Sequence, residues 1–329
     1  GLGDVYKRQT ERRNQWYFDL KKEVPAAIYK SSVKEKIRAF RKIIKENGVD
    51  TVHTHFTDMK TDMCVNIACL GLRVKKFKHY RSSFGSFGTI KKFFTRLCYR
   101  SWNAVICVSP HIMREAESNI VSCKPVLLND AVYFPRMDNY EKLCKPDLGV
   151  PESAVLCFAI GYDYRLKGID LACEAVKKLR DDGLDIYLAV CTASNTQTIA
   201  EQIRAQFGEF PEWLKLLPPR QDIASYYRAA DIYIQASRSE GFCYAIVEAA
   251  YCGKTVVASD CPGMKSHAEK NFDFLWFKNG DSDSLSEKLG QAVKMSESSE
   301  LSSKNRRAAI DNYSIENMSK KLYRIYADM

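Results

Sequence analysis

Hydrophobic and polar residues follow two alternating patterns along the first part of the chain. The segment 31–47 has helical periodicity, because Val33, Ile37 and Phe40 share one face and Gly48 follows as a stop. Short apolar runs such as "VDTVHTHF", "KKFKHY", "AVICVS" and "PVLLND" are typical of buried strands. Helical segments separate these runs and no hairpin signal joins them. The pattern therefore predicts a parallel sheet with helices on both faces.

A second series of the same kind begins after a proline-containing stretch without periodicity. It runs from "AVLCFAIG" through "LDIYLAVC", "WLKLLP" and "DIYIQAS" to "TVVAS", with helical segments between the strands. The fold class is therefore α/β, with two parallel-sheet domains in tandem. The first nine residues fit no element, and we interpret them as an adaptor-like artefact before a truncated N-terminal domain. The predicted divisions are 1–9 leader, 10–140 N-terminal domain, 141–152 linker, 153–310 C-terminal domain and 311–329 terminal helix.

Length and composition agree with two folded domains. The 329 residues are 46% hydrophobic and 27% charged, as in ordinary globular proteins. No apolar stretch approaches the roughly 20 residues that a spanning helix needs. The 12 cysteines are scattered singly and form no CxxC motif. We interpret them as buried thiols of a reduced, cytoplasmic protein.

The net charge of +10 is concentrated in the first half of the chain. Residues 1–150 contain 28 lysines and arginines against 15 acids, whereas residues 151–329 contain 22 against 25. The run 73–100 has nine basic residues, no acid and interleaved aromatics. It fits a solvated basic face, or a surface that meets an anionic membrane or acceptor. A nucleic-acid partner is compatible with the charge but is not expected.

The segment "SRSEGFCYAIVEAAYCG" places two carboxylates around the start of a helix. We predict one helix between Gly241 and Gly253, following the strand "DIYIQAS". In open parallel sheets, ligands lie at the carboxyl ends of the strands, where helix N-termini attract phosphate. Glu240 is then placed to bind hydroxyls beside that anion, and Glu248 to bind a vicinal diol such as a ribose. On spacing alone, a loop acid and a solvent-facing helix residue remain the alternative.

The same segment resembles the E-x7-E signature of glycosyltransferase family 4, retaining enzymes of the GT-B fold. The segments "AVICVS", "VLLND", "AIGYDYRLKGIDLACEA" and "LPPRQDIASYYRAADIYIQAS" agree with that family in the same order. The resemblance implies two Rossmann-like domains that face each other across a cleft, with the terminal helix returning to the N-terminal domain. It implies that Glu240 holds hydroxyls of the donor sugar and that Glu248 holds the ribose. The other donor-binding residues that it implies are Gly161, Gly241, Phe242 and Arg220.

The segment "GYDYRLKG" supplies cations at the end of the second domain's first strand. Lys167 and Arg165 are candidates to neutralise a diphosphate leaving group. The Lys167-Gly168 pair matches the family, but Tyr162 stands where the family has an arginine, so it is open whether Arg165 replaces that arginine. A surface pair of cations before a helix is the alternative for both residues.

The histidines are the other candidates for functional residues. The resemblance places His79 near the reacting sugar, although Arg81 fills that place under a two-residue shift. His53 and His55 lie on one side of a short strand and either line the cleft or are structural. Because a zinc site needs three or four converging ligands, we predict no metal site from these positions. Ser284 and Glu287 fit a capping box at the start of a later helix.

The sequence therefore predicts a metal-independent, retaining glycosyltransferase that uses no cofactor. The donor is a UDP-, GDP- or ADP-sugar and the acceptor a glycan or a lipid-linked molecule, as in bacterial surface polysaccharide synthesis. We expect a cytoplasmic protein, peripheral on the inner face of the cell membrane. A non-catalytic binding protein of the same fold and a nucleotide-sugar epimerase are the alternatives.

Overall fold

The structure is a computed structural model. It describes residues 32–329 except 56–57, 121, 193–195 and 296–298, together with two short strands near the N-terminus. These strands, β1 (Val5–Tyr6) and β2 (Ala27–Ile28), pair in parallel. The other residues of the predicted leader, 1–9, lie outside the described residues.

The first main sheet has four parallel strands in the order β3-β4-β5-β6. Strand β5 is buried along its whole length, which explains its unbroken apolar sequence. Its strands are β3 (Thr51–Thr54), β4 (Lys75–Tyr80), β5 (Ala104–Cys107) and β6 (Lys124–Leu127). Its helices are α1 (Val33–Glu46), α2 (Met59–Ala68), α3 (Thr89–Tyr99), α4 (Pro110–Asn119) and the short α5 (Pro135–Asp138).

The second sheet has six parallel strands in the order β12-β11-β10-β7-β8-β9. Its strands are β7 (Val155–Ile160), β8 (Ile186–Cys191), β9 (Leu214–Leu217), β10 (Ile232–Gln235), β11 (Thr255–Ser259) and β12 (Leu275–Phe277). Its helices are α6 (Ile169–Asp181), α7 (Thr196–Phe207), α8 (Ala224–Ala229), α9 (Tyr244–Tyr251), α10 (Pro262–Lys265), α11 (Ser282–Met295) and α12 (Ser299–Tyr313). The predicted tandem of two parallel α/β sheets is confirmed.

The last helix, α13 (Ile315–Asp328), lies against the first sheet rather than the second. Its apolar side chains complete a core cluster around Phe77 of β4 and Ile106 of β5. Lys75 Nζ donates a hydrogen bond to the Tyr326 carbonyl at 2.8 Å. The helix residues in this cluster and next to it are Met318, Leu322, Ile325, Tyr326 and Met329.

Two local predictions are wrong. The helix after β10 begins at Tyr244 rather than Gly241, because Cys243 has a left-handed backbone with φ of 67°. Helix α11 is not capped by Ser284 and Glu287, since the Asp281 carboxylate accepts the Ser284 amide at 3.0 Å. Strand β12 and helix α12 were not predicted from the sequence.

All twelve cysteines lie within the described residues and are free thiols. Eleven of them are buried and Cys144 is exposed. Burial raises the pKa of the Cys107 thiol to about 12, so the thiol stays protonated and packs as a small apolar group. None of the described helices is long and apolar enough to cross a membrane.

Candidate functional site

The candidate site lies at the carboxyl ends of β7 and β10, which are neighbours in the second sheet. The loop after β7 contains Lys167, and the loop after β10 contains Glu240. The Lys167 ammonium lies 2.6 Å from Glu240 Oε1. The sequence placed these two residues in one site, and the strand order explains why they meet.

The Glu240 carboxylate is held by three donors on the same oxygen. Besides Lys167, the Ser237 hydroxyl donates to Oε1 at 2.7 Å and the Gln235 amide at 3.3 Å. Burial disfavours the Lys167 ammonium, but the adjacent Glu240 carboxylate outweighs burial and raises the pKa of Lys167. Lys167 therefore keeps its positive charge at neutral pH beside the Glu240 carboxylate.

Two glycines allow close backbone packing around this pair. Gly168 has φ of +65°, and a Cβ there would lie 2.0 Å from the Ala236 carbonyl oxygen. A Cβ on Gly241 would lie 2.2 Å from the carbonyl oxygen of Arg81. Arg81 follows β4 of the first sheet, so the loop of Gly241 is the place where the two domains touch beside Glu240.

Glu248 lies on α9 and its side chain is buried. Its Oε1 pairs with the Arg136 guanidinium of α5, and its Oε2 accepts a hydrogen bond from the Tyr227 hydroxyl at 3.2 Å. Burial raises the pKa of Glu248, and the Arg136 charge opposes that effect. The solvent-facing alternative for Glu248 is therefore wrong. Arg136, which the sequence analysis missed, occupies the carboxylate oxygen expected to meet a diol.

The remaining predicted cations are engaged elsewhere. Arg165 is exposed and its Nη1 lies 2.7 Å from Asp170 Oδ2, a carboxylate that also pairs with Arg238 at 2.8 Å. Arg220 follows β9 and pairs with Asp222 at 2.8 Å and with Glu141 of the linker segment. The structure does not bring Arg165 or Arg220 into contact with the Glu240 and Lys167 pair.

Gly161 and Phe242, both predicted to bind the donor, pack closely against neighbouring side chains. A Cβ on Gly161 would lie 2.8 Å from the Ile169 side chain, so Gly161 lets α6 approach the end of β7. Phe242 is buried against His267 and Tyr313. Its side chain anchors the loop that also contains Glu240 and Gly241.

His267 is a buried neutral histidine under this loop. Its Nε2 lies 2.5 Å from the Phe242 carbonyl and must donate to it, which leaves Nδ1 to accept from the Tyr313 hydroxyl at 2.7 Å. Burial lowers the pKa of His267 to about 4. The folded state therefore excludes a proton that the unfolded chain binds below about pH 6.5.

We expect His267 to make folding weaker as pH falls. The stability that the neutral His267 contributes is fully present above about pH 6.5. It is lost between about pH 6.5 and 4, because in that range the imidazole is protonated only in the unfolded chain. The full loss, reached near pH 4, is on the order of 3 kcal/mol, of which about 2 kcal/mol has occurred by pH 5. The measurement is the free energy of unfolding in urea at pH 7.5 and at pH 5, for the wild-type protein and for His267→Gln. The wild-type protein should lose more unfolding free energy between the two pH values than the variant does, and that excess is the contribution of His267. Equal losses of unfolding free energy in both proteins would contradict the prediction.

A second contact joins the domains across the first turn of α9. The Tyr244 hydroxyl donates to Oδ2 of Asp130, which follows β6. Arg81 Nη2 lies 3.2 Å from Asp130 Oδ1, and His79 Nε2 lies 3.9 Å from the same oxygen. Burial raises the pKa of Asp130 and Arg81 opposes that effect. His79 and Arg81, which the sequence left as alternatives for one place, therefore face the same carboxylate.

Three histidines of the first sheet lie together, although the sequence analysis treated them separately. The rings of His53 and His55 have centroids 4.4 Å apart, and His79 lies 5.2 and 5.1 Å from them. Burial lowers the pKa of His53 to about 3. One nitrogen from each ring lies within 4.8 Å of the others. The three imidazoles therefore do converge, and the prediction that the protein has no metal site stays a prediction.

Comparison with known proteins agrees with this fold. A profile of the family "Glycosyl transferases group 1" matches residues 144–313, which include Lys167, Glu240 and Glu248. The chain belongs to this family. A glycosyltransferase from Rickettsia africae has a TM-score of 0.83 at 19% identity, covering 96% of this chain and 88% of its own. Anabaena Alr3699/HepE, solved in complex with UDP-glucose, has a TM-score of 0.77 at 15% identity, covering 96% and 90%.

The first three curated relatives match over shorter stretches. The N,N'-diacetylbacillosaminyl-diphospho-undecaprenol alpha-1,3-N-acetylgalactosaminyltransferase of Campylobacter jejuni is 38% identical over 73 residues, or 22% of this chain and 19% of that protein. The chain spans 19–31% of the length of the first three curated relatives that it matches. The solved structures show that the two-sheet fold is the GT-B arrangement.

Proposed function

We propose that the protein is a retaining glycosyltransferase that moves a sugar from a nucleoside-diphosphate sugar to a hydroxyl of a glycan or lipid-linked acceptor. The observation that carries the proposal is the Lys167 and Glu240 pair, 2.6 Å apart at the carboxyl edge of the second sheet. Membership of the glycosyl transferases group 1 family supports the same reaction. The contact of Gly241 with Arg81 supports a site between the domains.

Each group has a role in moving the glycosyl unit. Lys167 stabilises the charge that develops on the departing diphosphate. The free amides at the start of α9 add the positive end of a helix dipole. Glu240 accepts hydrogen bonds from sugar hydroxyls. In a front-face retaining reaction the leaving phosphate takes the acceptor proton, so no separate protein base is required.

Glu248 is proposed to hold the donor ribose. Its Oε1 is paired with Arg136, so the diol either shares the carboxylate with the guanidinium or displaces it. Tyr227 keeps the other oxygen in place through a hydrogen bond of 3.2 Å. Donor binding is therefore linked to the position of α5, the segment that carries Arg136.

The names of the relatives narrow the substrates. The Anabaena protein was solved with UDP-glucose, which favours a UDP-sugar over GDP- and ADP-sugars. The Campylobacter relative's name contains a diphospho-undecaprenol acceptor, which favours a lipid-linked acceptor and bacterial surface polysaccharide synthesis. We propose that His79 and Arg81 line the approach of this acceptor, and the closeness of the Arg81 carbonyl to Gly241 beside Glu240 supports that role.

The test is nucleotide release from a panel of UDP-, GDP- and ADP-sugars, with and without a polyprenyl-diphosphate sugar acceptor. We expect release from a UDP-sugar that requires the acceptor, and a product that keeps the anomeric configuration. Release with sugar isomerisation and no acceptor would identify an epimerase instead. No binding of any donor in a thermal-shift assay would indicate a non-catalytic protein.

The basic run 73–100 supports contact with an anionic membrane. Helix α3 exposes Ile90 (77% exposed) and Phe93 (64% exposed), with Phe94 and Leu97 also exposed on the same helix. Its lysines and arginines lie among these apolar side chains. Apolar and cationic groups on one helix suit the interface of an anionic bilayer. We propose that α3 holds the protein peripherally on the inner, cytoplasmic face of the membrane.

We expect the Ile90→Asp/Phe93→Asp double variant to bind phosphatidylglycerol vesicles at least about tenfold more weakly than the wild-type protein. The two aspartates replace apolar groups that enter the interface and also repel the lipid headgroups. Vesicle sedimentation measures the binding, and Ile310→Asp on α12 is the matched control. Unchanged sedimentation of the double variant would exclude α3 as the membrane contact.

A further inference from the structure

The three histidines near the carboxyl edge of the first sheet form a compact group because of strand register. His53 pairs with Phe77 across β3 and β4. Since side chains alternate along a strand, His55 and His79, each two residues further on, follow on the same face. This face is the one covered by α13. Adjacent strands therefore bring the three imidazoles together without any sequence motif.

The hydrogen bonds of the group are incomplete. His79 is 4% exposed, and neither of its ring nitrogens has a hydrogen-bond partner among the described residues. His53 Nδ1 lies 2.5 Å from the Tyr326 hydroxyl, whereas His53 Nε2 is buried and has no partner. Buried polar atoms are nearly always satisfied in folded proteins, so each exception calls for a missing partner.

We propose that His53, His55 and His79 bind one divalent transition-metal ion of the zinc class, with solvent as a fourth ligand at the exposed His55. Three imidazoles and an open position form a known zinc-ligand set. A tetrahedral zinc site with bonds of about 2.0–2.1 Å needs ligand nitrogens roughly 3.3 Å apart. The three nitrogens lie within 4.8 Å, so side-chain rotations close the remaining distance.

The neighbours of the group suit a bound cation. Tyr326 orients His53 through Nδ1 and leaves Nε2 for the metal, as outer partners of zinc-binding histidines do. Asp130 Oδ1 lies 3.9 Å from His79 Nε2 and supplies the nearest carboxylate. The nearby cations are both paired: Arg81 lies 3.2 Å from Asp130, and Lys78 lies 2.7 Å from Asp62.

The site also has an access route. A cavity of about 1120 Å³ is lined by the three histidines, Arg81 and Tyr326. An ion bound there joins β3 to β4. It also fixes His53, whose Nδ1 contacts the Tyr326 hydroxyl of α13. The metal therefore stabilises the first sheet and its contact with α13, whereas the proposed charge stabilisation relies on Lys167 and Glu240.

The experiment is titration of the purified, tag-free protein with Co²⁺ and then Zn²⁺, without donor or acceptor. We expect one equivalent of Co²⁺ with a nitrogen and oxygen ligand spectrum that lacks thiolate charge transfer, displaced by Zn²⁺. Calorimetry of His53→Gln, His55→Ala and His79→Gln should show affinities at least about 100-fold weaker, and Tyr326→Phe about tenfold weaker. His111→Gln and Cys144→Ser are the matched controls and should keep the wild-type affinity.

His55→Ala keeps the test decisive, because His55 is exposed and its loss does not disturb the core. One equivalent of zinc retained by His55→Ala, or no stoichiometric binding by the wild-type protein, would overturn the proposal. A thiolate spectrum would overturn it as well, since it would place the ion on cysteine. Because donor and acceptor are absent from the titration, none of these three outcomes depends on the proposed glycosyl transfer.

Discussion

Replacing Lys167 by alanine is expected to lower kcat for glycosyl transfer by about 10²- to 10³-fold, the range found when one preorganised charge-stabilising donor is removed. The Lys167 ammonium is the cation in contact with Glu240, and the raised pKa keeps it charged at neutral pH. The loss should appear in kcat more than in donor affinity, because charge on the diphosphate grows as the bond to the sugar breaks. Steady-state kinetics with a saturating acceptor measure the effect.

Folding should survive this substitution. Glu240 Oε1 still accepts from Ser237 at 2.7 Å and Gln235 at 3.3 Å, so its carboxylate is not left unsatisfied. Lys178→Ala is the matched control, since that lysine is on the surface and pairs with Asp283 at 2.6 Å. A Lys167→Ala enzyme within threefold of the wild-type rate, roughly 0.7 kcal/mol of barrier, would remove Lys167 from the mechanism. Arg165→Ala in the same assay decides whether its guanidinium shares the diphosphate.

Replacing Gly241 by alanine is expected to lower kcat/KM by about 100-fold, because misplacement by roughly 1 Å costs that much in a site that depends on orientation. The added Cβ would lie 2.2 Å from the Arg81 carbonyl oxygen, in a contact between two backbones. The contacting atoms belong to the two main chains, so no side-chain rotation can relieve the contact. The loops after β4 and β10 must therefore separate, which moves Glu240 relative to the acceptor side.

The effect should be local to the site. Urea unfolding separates loss of activity from loss of folding, and we expect the activity to fall much more than the free energy of unfolding. Gly88→Ala is the control, because Gly88 has φ of −64° and nothing within 4 Å of an added Cβ. Wild-type kinetics in Gly241→Ala would show that the contact with Arg81 is absent from the active arrangement.

Much of the fold could be predicted because parallel strands covered on both faces are apolar throughout. Strand β5 is such a case, and its sequence "AVIC" reads as a strand without further context. The start of α9 could not be read in the same way. Nothing in the residue type of Cys243 shows that it takes a left-handed backbone, which delays the helix to Tyr244.

Some residues of the candidate site could likewise be predicted from the sequence, and others could not. The residues Lys167, Glu240 and Glu248 lie in the second domain, where a sequence motif marks them. The groups that approach the site from other parts of the chain, namely Arg136 beside Glu248 and the Arg81 carbonyl beside Gly241, carry no motif, because contacts over such sequence separations depend on how the domains pack. The cluster of His53, His55 and His79 depends on strand register, which a single sequence does not specify.

Helix α13 has a practical consequence for dissecting the protein. Its side chains at Met318, Leu322 and Ile325 pack with a core cluster built on the first sheet, although the helix follows the second domain in the chain. Cutting the gene near residue 150 would thus leave the first half without part of its own interior. A fragment meant to represent the first domain must therefore carry the last 15 residues of the chain, for example by circular permutation.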